Sequence, residues 1–270
     1  MHLGSWFIDI SALRFVNSLS DKVHSSPPTI EKISGLFQDF YVRAESHIAT
    51  HISALASRIN RDASPLRSRG SRGGLQQKLS NRDAQDDAEK VAPGRQMLTA
   101  SEVAEKRKTR KFLANNRIAL EEAVERRACE SIYDKIFQHK ASLDEVRDEK
   151  LRSKTAALLL VGITLKDLGI DIDITAIDEE RQREADDDIY AARERLMEMN
   201  NERYPLGKLQ CLAAAHKAIV DALTKLLPSS SSADEILPAL IYALVTCPPE
   251  GINIISNLLF IQRFRSAGKV

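Results

Sequence analysis

The sequence predicts an all-α protein, and three observations predict it. Aromatic residues make up only 5% of the chain, while helix-favouring Ala, Leu, Glu, Lys and Arg are abundant. Apolar residues recur at spacings of three and four along most of the chain. No alternating strand pattern runs longer than five residues, and no internal repeat is present. A chain of 270 residues has ample length for a core.

Residues 1–26 read as a short amphipathic lead-in that stops at Ser25-Ser26-Pro27-Pro28. The first helical segment of a bundle follows over 27–60, carrying Ile30, Ile33, Leu36, Phe37, Phe40, Tyr41, Ala44, Ile48, Ile52 and Leu55, with Thr29 at its start. The period then disappears. Residues 61–97 hold Arg67-Ser68-Arg69-Gly70-Ser71-Arg72-Gly73-Gly74 and almost no large apolar side chains, so a disordered Arg/Ser/Gly-rich linker is expected. Helix resumes within a supporting bundle over 98–140, opened by the capping-box pattern Thr99-Ala100-Ser101-Glu102. Its apolar residues run from Phe112 through Ile118, Leu120, Val124, Ile132 and Ile136 to Phe137.

A second capping box, Ser142 to Glu145, opens the last region, 141–270. Its helices are expected from Ser142 to Ile163, Ile177 to Met199, Pro205 to Leu226, Ser232 to Thr246 and Ile252 to Phe264. Pro205 suits the first position of its helix, and Pro228 with Ser229 to Ser232 ends it.

Several function classes are excluded or left without support. Thirty-nine Lys and Arg nearly cancel 38 Asp and Glu, so net charge names no polyanionic partner, and no stable nucleic-acid partner is expected. Cys129, Cys211 and Cys247 are widely spaced and odd in number, which fits a reducing compartment rather than a disulfide framework. The apolar runs Ala156 to Ile163 and Ile236 to Val245 are shorter than the roughly 20 residues needed to cross a bilayer. Any membrane association is therefore expected to be peripheral. No G-x-x-x-x-G-K-[ST] loop and no G-x-G-x-x-G turn occurs. His47 and His51 have the i, i+4 spacing of a zinc pair but lack a third ligand, so no metal and no cofactor is expected. The Arg-Ser stretch reads either as a phosphorylatable linker or as a basic arm for RNA.

The most informative stretch is Ser232-Ala233-Asp234-Glu235-Ile236-Leu237-Pro238-Ala239-Leu240-Ile241-Tyr242. Its capping-box pattern places Asp234 in the first turn, where the helix dipole favours an ionised carboxylate. Pro238 removes the donor that would pair with the Asp234 carbonyl and opens the turn. Beyond Pro238 the helix is apolar on nearly every side, which calls for cover from a core and from a second helix or a partner. From these residues alone, Asp234 is either a dipole complement in a central bundle helix or a functional acid.

This stretch resembles the S-A-D-[DE]-x-[IL]-P-x-L-x-[YF] motif of the vacuolar-protein-sorting-nine (Vps-nine) domain family, helical exchange factors for early-endosomal Rab GTPases. Pro248-Pro249 and Ser256-Asn257-Leu258-Leu259-Phe260-Ile261-Gln262-Arg263-Phe264 resemble the elements that follow it. Pro205-Leu206-Gly207-Lys208-Leu209-Gln210-Cys211-Leu212 resembles the helix before it. Ile132-Tyr133-Asp134-Lys135-Ile136-Phe137 and, more weakly, Leu36 to Tyr41 resemble the supporting bundle. The resemblance implies a helical bundle followed by an exchange-factor domain, with a small GTPase of the endosomal Rab class as partner. It implies GDP release without bond chemistry, in a cytoplasmic protein peripherally placed on endosomal membranes.

In that reading Asp234 is the acidic finger that competes with the β-phosphate and Mg²⁺. Pro238, Ala239, Leu240, Ala243 and Asn257 are the expected GTPase-binding residues. A non-catalytic Rab-binding or scaffold protein of the same trafficking system is the alternative. In the family the domain continues into a G-E-x-x-Y segment whose tyrosine touches the GTPase. This sequence ends at Arg265-Ser266-Ala267-Gly268-Lys269-Val270, so a C-terminally incomplete domain with weakened exchange is expected.

Overall fold

A computed structural model describes residues 11–19, 28–62, 100–172, 177–227 and 233–269. Among them all regular structure is helical, with no strand, as the low aromatic content and the helical period predict. The helices are α1 (Ile30–Asp62), α2 (Ala100–Ile136), α3 (Asp144–Val161), α4 (Glu179–Glu198), α5 (Pro205–Leu226), α6 (Ala233–Val245) and α7 (Ile254–Phe264). Short 3₁₀ turns occupy Lys166–Leu168, Pro249–Gly251 and Ala267–Lys269. No single helix among the described residues is long and apolar enough to cross a membrane. The expected lead-in lies partly outside the described residues, and the expected linker lies outside them from residue 63 to residue 97.

The chain forms two compact units. One comprises Met1–Glu45 with Leu120–Val270, and the other comprises Ser46–Ala119. The first unit is built around α4 and α5. Asp178 caps α4 by accepting from the Arg181 amide at 2.7 Å, and Pro205 opens α5. The buried residues of α4 are Ala185, Ile189, Ala192 and Leu196, spaced by four, three and four. Those of α5 include Cys211, Ala215, Ile219, Ala222 and Leu226, spaced by four, four, three and four. Alanines on these faces let the two helices approach closely, and Ile189, Leu196, Ile219, Leu223 and Leu226 fill the remaining space. The helix α6 closes over this pair, seating Ala239 and Ala243 against Ala192, Ile219 and Leu223.

Buried acids hold the C-terminal helix in place. Asp148 of α3 is fully buried and accepts from the backbone amides of Ile255 (2.9 Å) and Ser256 (3.2 Å) and from the Ser256 hydroxyl. It therefore caps α7 from another helix, meeting donors that the first turn leaves unpaired. Asp144 receives both guanidinium nitrogens of Arg263. Glu125 of α2 pairs with Arg265 at 2.7 Å, with both side chains buried, and also accepts from the Ser266 amide. Tyr41 of α1 donates to the Phe264 carbonyl at 3.0 Å, and the Phe37 ring meets the Phe264 ring edge-on. Arg263-Phe264-Arg265 is thus where α1, α2 and α3 converge. Removing Arg265 strands Glu125 as a buried charge, so Arg265→Ala lowers unfolding free energy by about 3–5 kcal/mol in a urea titration. An exposed pair such as Lys108–Glu105 is expected to contribute less than about 1 kcal/mol.

One expected start is corrected. The Ser142–Glu145 capping box does not form: α3 begins at Asp144, and the Ser142 hydroxyl donates to the His139 carbonyl at 2.8 Å. Ser142 is consumed by the tight turn that leaves α2. The helix α3 ends on Gly162, whose positive φ of 72° lets its amide bond back to the Leu158 and Leu159 carbonyls. Thr29 does cap α1, its hydroxyl accepting from the Lys32 amide at 3.3 Å. The starts proposed at Thr99 and Ser232 lie outside the described residues.

Candidate functional site

The helix α6 carries the candidate site. Its sequence is apolar nearly all round, so periodicity alone does not say which side faces solvent. The structure resolves this. Ala239 and Ala243, 3% and 0% exposed, turn inward, where short side chains permit contact with α5. Leu240 is half-buried and packs on both inner clusters. Facing out along the other side are Asp234, Leu237, Pro238 and Ile241, an i, i+3, i+4, i+7 stripe. Leu237 is 64% exposed and Ile241 40%, while Asp234 stands exposed in the first turn of the helix. The stripe therefore presents one carboxylate at its N-terminal end and an apolar run behind it.

Pro238 lies inside the helix, half-buried beside this stripe. It cannot donate to the Asp234 carbonyl, and its ring crowds that turn. The turn bearing Asp234 is thereby set apart from the regular remainder of α6. Leu159, Leu160 and Val161, at the end of α3, are also exposed, and α3 packs against α6.

Of the expected GTPase-binding residues, the structure keeps Pro238 at the surface stripe and leaves Leu240 at its flank. Ala239, Ala243 and Asn257 are interior in this chain. Asn257 is fully buried on α7, where its Oδ1 accepts from Lys208 Nζ at 2.6 Å and its Nδ2 donates to Asn200 Oδ1 at 3.0 Å. The exposed positions Leu237 and Ile241 were not among the expected residues. The signal was available: counting three, four and seven from Asp234 reaches Leu237, Pro238 and Ile241.

Lys208 is a buried polar centre among α2, the end of α4 and α7. It is fully buried near the start of α5, and its ammonium donates to the Tyr133 hydroxyl (3.0 Å), the Met199 carbonyl (2.8 Å) and Asn257 Oδ1 (2.6 Å). The rings of Tyr133, Phe137 and Phe260 surround it at 5.1, 4.8 and 5.5 Å from their centroids. Burial pulls its pKa down to about 7, with the Glu202 charge opposing that fall. Three acceptors match its three donors, and the ring faces add cation–π attraction. Lys208 thereby ties α2, the end of α4, α5 and α7 together.

The cysteines are structural. Cys129, Cys211 and Cys247 are free and buried, and burial raises each thiol's pKa, that of Cys247 to about 11. None has the lowered pKa of a nucleophilic thiolate. Among the described residues no three His, Cys, Asp or Glu side chains are grouped to hold a metal.

Comparison with known proteins gives a consistent result. Residues 189–270, which contain α5, α6 and α7, match the family described as the Vacuolar sorting protein 9 (VPS9) domain. Over 163 residues, 60% of this chain, the sequence is 27% identical to the Rab5 GDP/GTP exchange factor of Homo sapiens. The proteins of the same name from Bos taurus and Mus musculus are each 26% identical over the same length. In each case the alignment covers 31% of the relative.

Proposed function

We propose, from the match of residues 189–270 to the VPS9 domain family, that the chain is a guanine-nucleotide exchange factor for a small GTPase of the Rab5 class. The observation that carries the proposal is the outward stripe of α6, with exposed Asp234 ahead of Leu237, Pro238 and Ile241. A switch region of a GTPase presents apolar side chains that such a stripe can cover. With the stripe covered, Asp234 points into the nucleotide site. There its carboxylate competes with the β-phosphate for the P-loop lysine and repels the Mg²⁺-bound phosphates, so GDP leaves. No bond is made or broken in this chain. The resemblance of relatives named as Rab5 exchange factors supports this partner class, and a Rab5-class partner implies work at the cytoplasmic face of endosomal membranes.

The apolar stripe and the acid have separable tasks. Changing Leu237→Ser together with Ile241→Ser removes contact area but leaves the carboxylate. Both residues are well exposed, so little fold stability is at stake. The expected result is weaker binding to the nucleotide-free GTPase, by on the order of tenfold to a hundredfold, given ~1–3 kcal/mol for apolar side chains lost from an interface. The maximal rate of GDP release at saturating exchange factor changes little. Stopped-flow release of fluorescent GDP over a range of concentrations separates the two quantities. A lowered maximal rate with unchanged half-saturation would contradict this division.

A further inference from the structure

The second unit holds a surface that the exchange reading does not use. From Ala100 to Ala119 the helix α2 is exposed along almost its whole length, with only Thr109, Leu113 and Asn116 half-buried. Val103, Arg107, Arg110, Ala114 and Arg117 recur at spacings of four, three, four and three, which places them on one side. Lys106, Lys111 and Ile118 lie alongside them, and every residue of this face is exposed. The face extends over about 22 Å of helix, at 1.5 Å per residue. Glu102 and Glu105 fall outside it, and Glu105 pairs with Lys108 at 2.9 Å.

The composition of this face is unusual for a solvated helix surface. Lys106, Arg107, Arg110 and Lys111 stand together on this face, and Val103 and Ile118 lie towards its two ends at 51% and 49% exposure. Phe112, 55% exposed, lies on the opposite side of the helix and is not part of this face. A polyphosphate chain such as RNA would engage the cations but gains nothing from Val103 and Ile118, which offer no ring to stack on bases. An anionic bilayer engages both: headgroups take the cations, and the aliphatic groups enter the boundary with the acyl chains. Lys and Arg stems also lie along such a boundary with their charges in the headgroup layer.

We propose that Val103 to Ile118 of α2 is a membrane-surface helix that docks this chain on anionic lipid. The helix lies in the plane of the interface. The proposal stands independently of the exchange activity.

Flotation of the full chain with phosphatidylcholine vesicles, with and without phosphatidylserine, tests it. The expected result is binding only when phosphatidylserine is present, falling as sodium chloride is raised. Combined Lys106→Glu, Arg107→Glu, Arg110→Glu and Lys111→Glu substitutions weaken binding at least about a hundredfold, each cation contributing roughly fivefold. Far-ultraviolet circular dichroism of this variant matches the parent, because all four side chains are exposed. A second variant, Val103→Ser with Ile118→Ser, binds more weakly with the same salt dependence. A third, Arg67→Glu with Arg69→Glu and Arg72→Glu, keeps most of the binding. The proposal is overturned by equal vesicle binding in the first variant, by binding that follows the third, or by capture of an RNA oligonucleotide in preference to vesicles. Solution release of GDP by the first variant is a separate reading and does not enter this test.

Discussion

If the proposed exchange activity holds, Asp234→Ala is expected to slow GDP release from a Rab5-class GTPase by at least about a hundredfold while leaving the complex with nucleotide-free GTPase nearly intact. The reasoning is a comparison of magnitudes. If Asp234 only complements the helix dipole, its removal costs about 0.3–1 kcal/mol of stability and leaves exchange untouched. If it enters the nucleotide site, the loss appears in the rate, where a hundredfold corresponds to about 2.7 kcal/mol. Asp234→Asn sharpens the distinction by keeping the side-chain shape while removing the charge. An asparagine variant as slow as the alanine variant assigns the effect to charge; full activity in both would return Asp234 to a dipole role. Because Asp234 is exposed, neither change is expected to unfold the chain.

Lys208→Met is expected to have a large effect on stability. The substitution keeps much of the apolar stem but leaves the Met199 carbonyl and Asn257 Oδ1 without their donor in a dry interior. Unpaired buried acceptors of this kind cost ~1–3 kcal/mol each, so a loss of about 3 kcal/mol is expected in a urea titration. The same residue sets a pH dependence. Its folded pKa is about 7 against an ordinary 10.5, so between these values the unfolded chain binds more protons than the folded one. Its contribution to stability therefore rises with pH across that window and is flat below it. Parallel titrations at pH 7 and pH 9 should show a gain in the parent relative to Lys208→Met. Equal changes in both proteins, or an unfolding free energy unaltered by the substitution, would remove Lys208 from its central role.

Much of the architecture is readable from the chain because helices carry their period in the sequence. The predicted segments at Pro205 to Leu226 and Ile252 to Phe264 match α5 and α7 within two residues. Pro205 and Pro228 punctuate α5 locally, so no tertiary information is needed there. The failures occur where the deciding partner is distant. Ser142 offers a good capping pattern, yet a turn three residues back takes its hydroxyl. Capping of α7 by Asp148 joins residues more than a hundred positions apart, and nothing local to Ile255 announces it. Likewise, Asn257 looks like an exposed polar residue in an apolar helix until Lys208 is placed beside it.

At the site the sequence identifies the element but not its outward face. Asp234 and Pro238 stand out chemically, as a first-turn acid and a proline inside a helix. Ala239, Leu240 and Ala243 do not differ from Leu237 and Ile241 in polarity, so hydropathy cannot sort them. The packing does: Ala239 and Ala243 fit beneath α6 against Ala192 and Leu223, while Leu237 and Ile241 stay exposed. A rule that seeks small residues on the packed side and counts from the acid would have found the stripe. The basic face of α2 was also present in the sequence, but the near-zero net charge of the whole chain hid it.

The central claim is that this chain accelerates GDP release from a small GTPase of the Rab5 class. Its most direct test is the release of fluorescent GDP from such a GTPase with excess unlabelled nucleotide and increasing amounts of this chain. The account predicts a rate that climbs with concentration, saturates, and is unchanged for a GTPase of an unrelated class. A rate equal to spontaneous release at every concentration, across the Rab5 class, would contradict it.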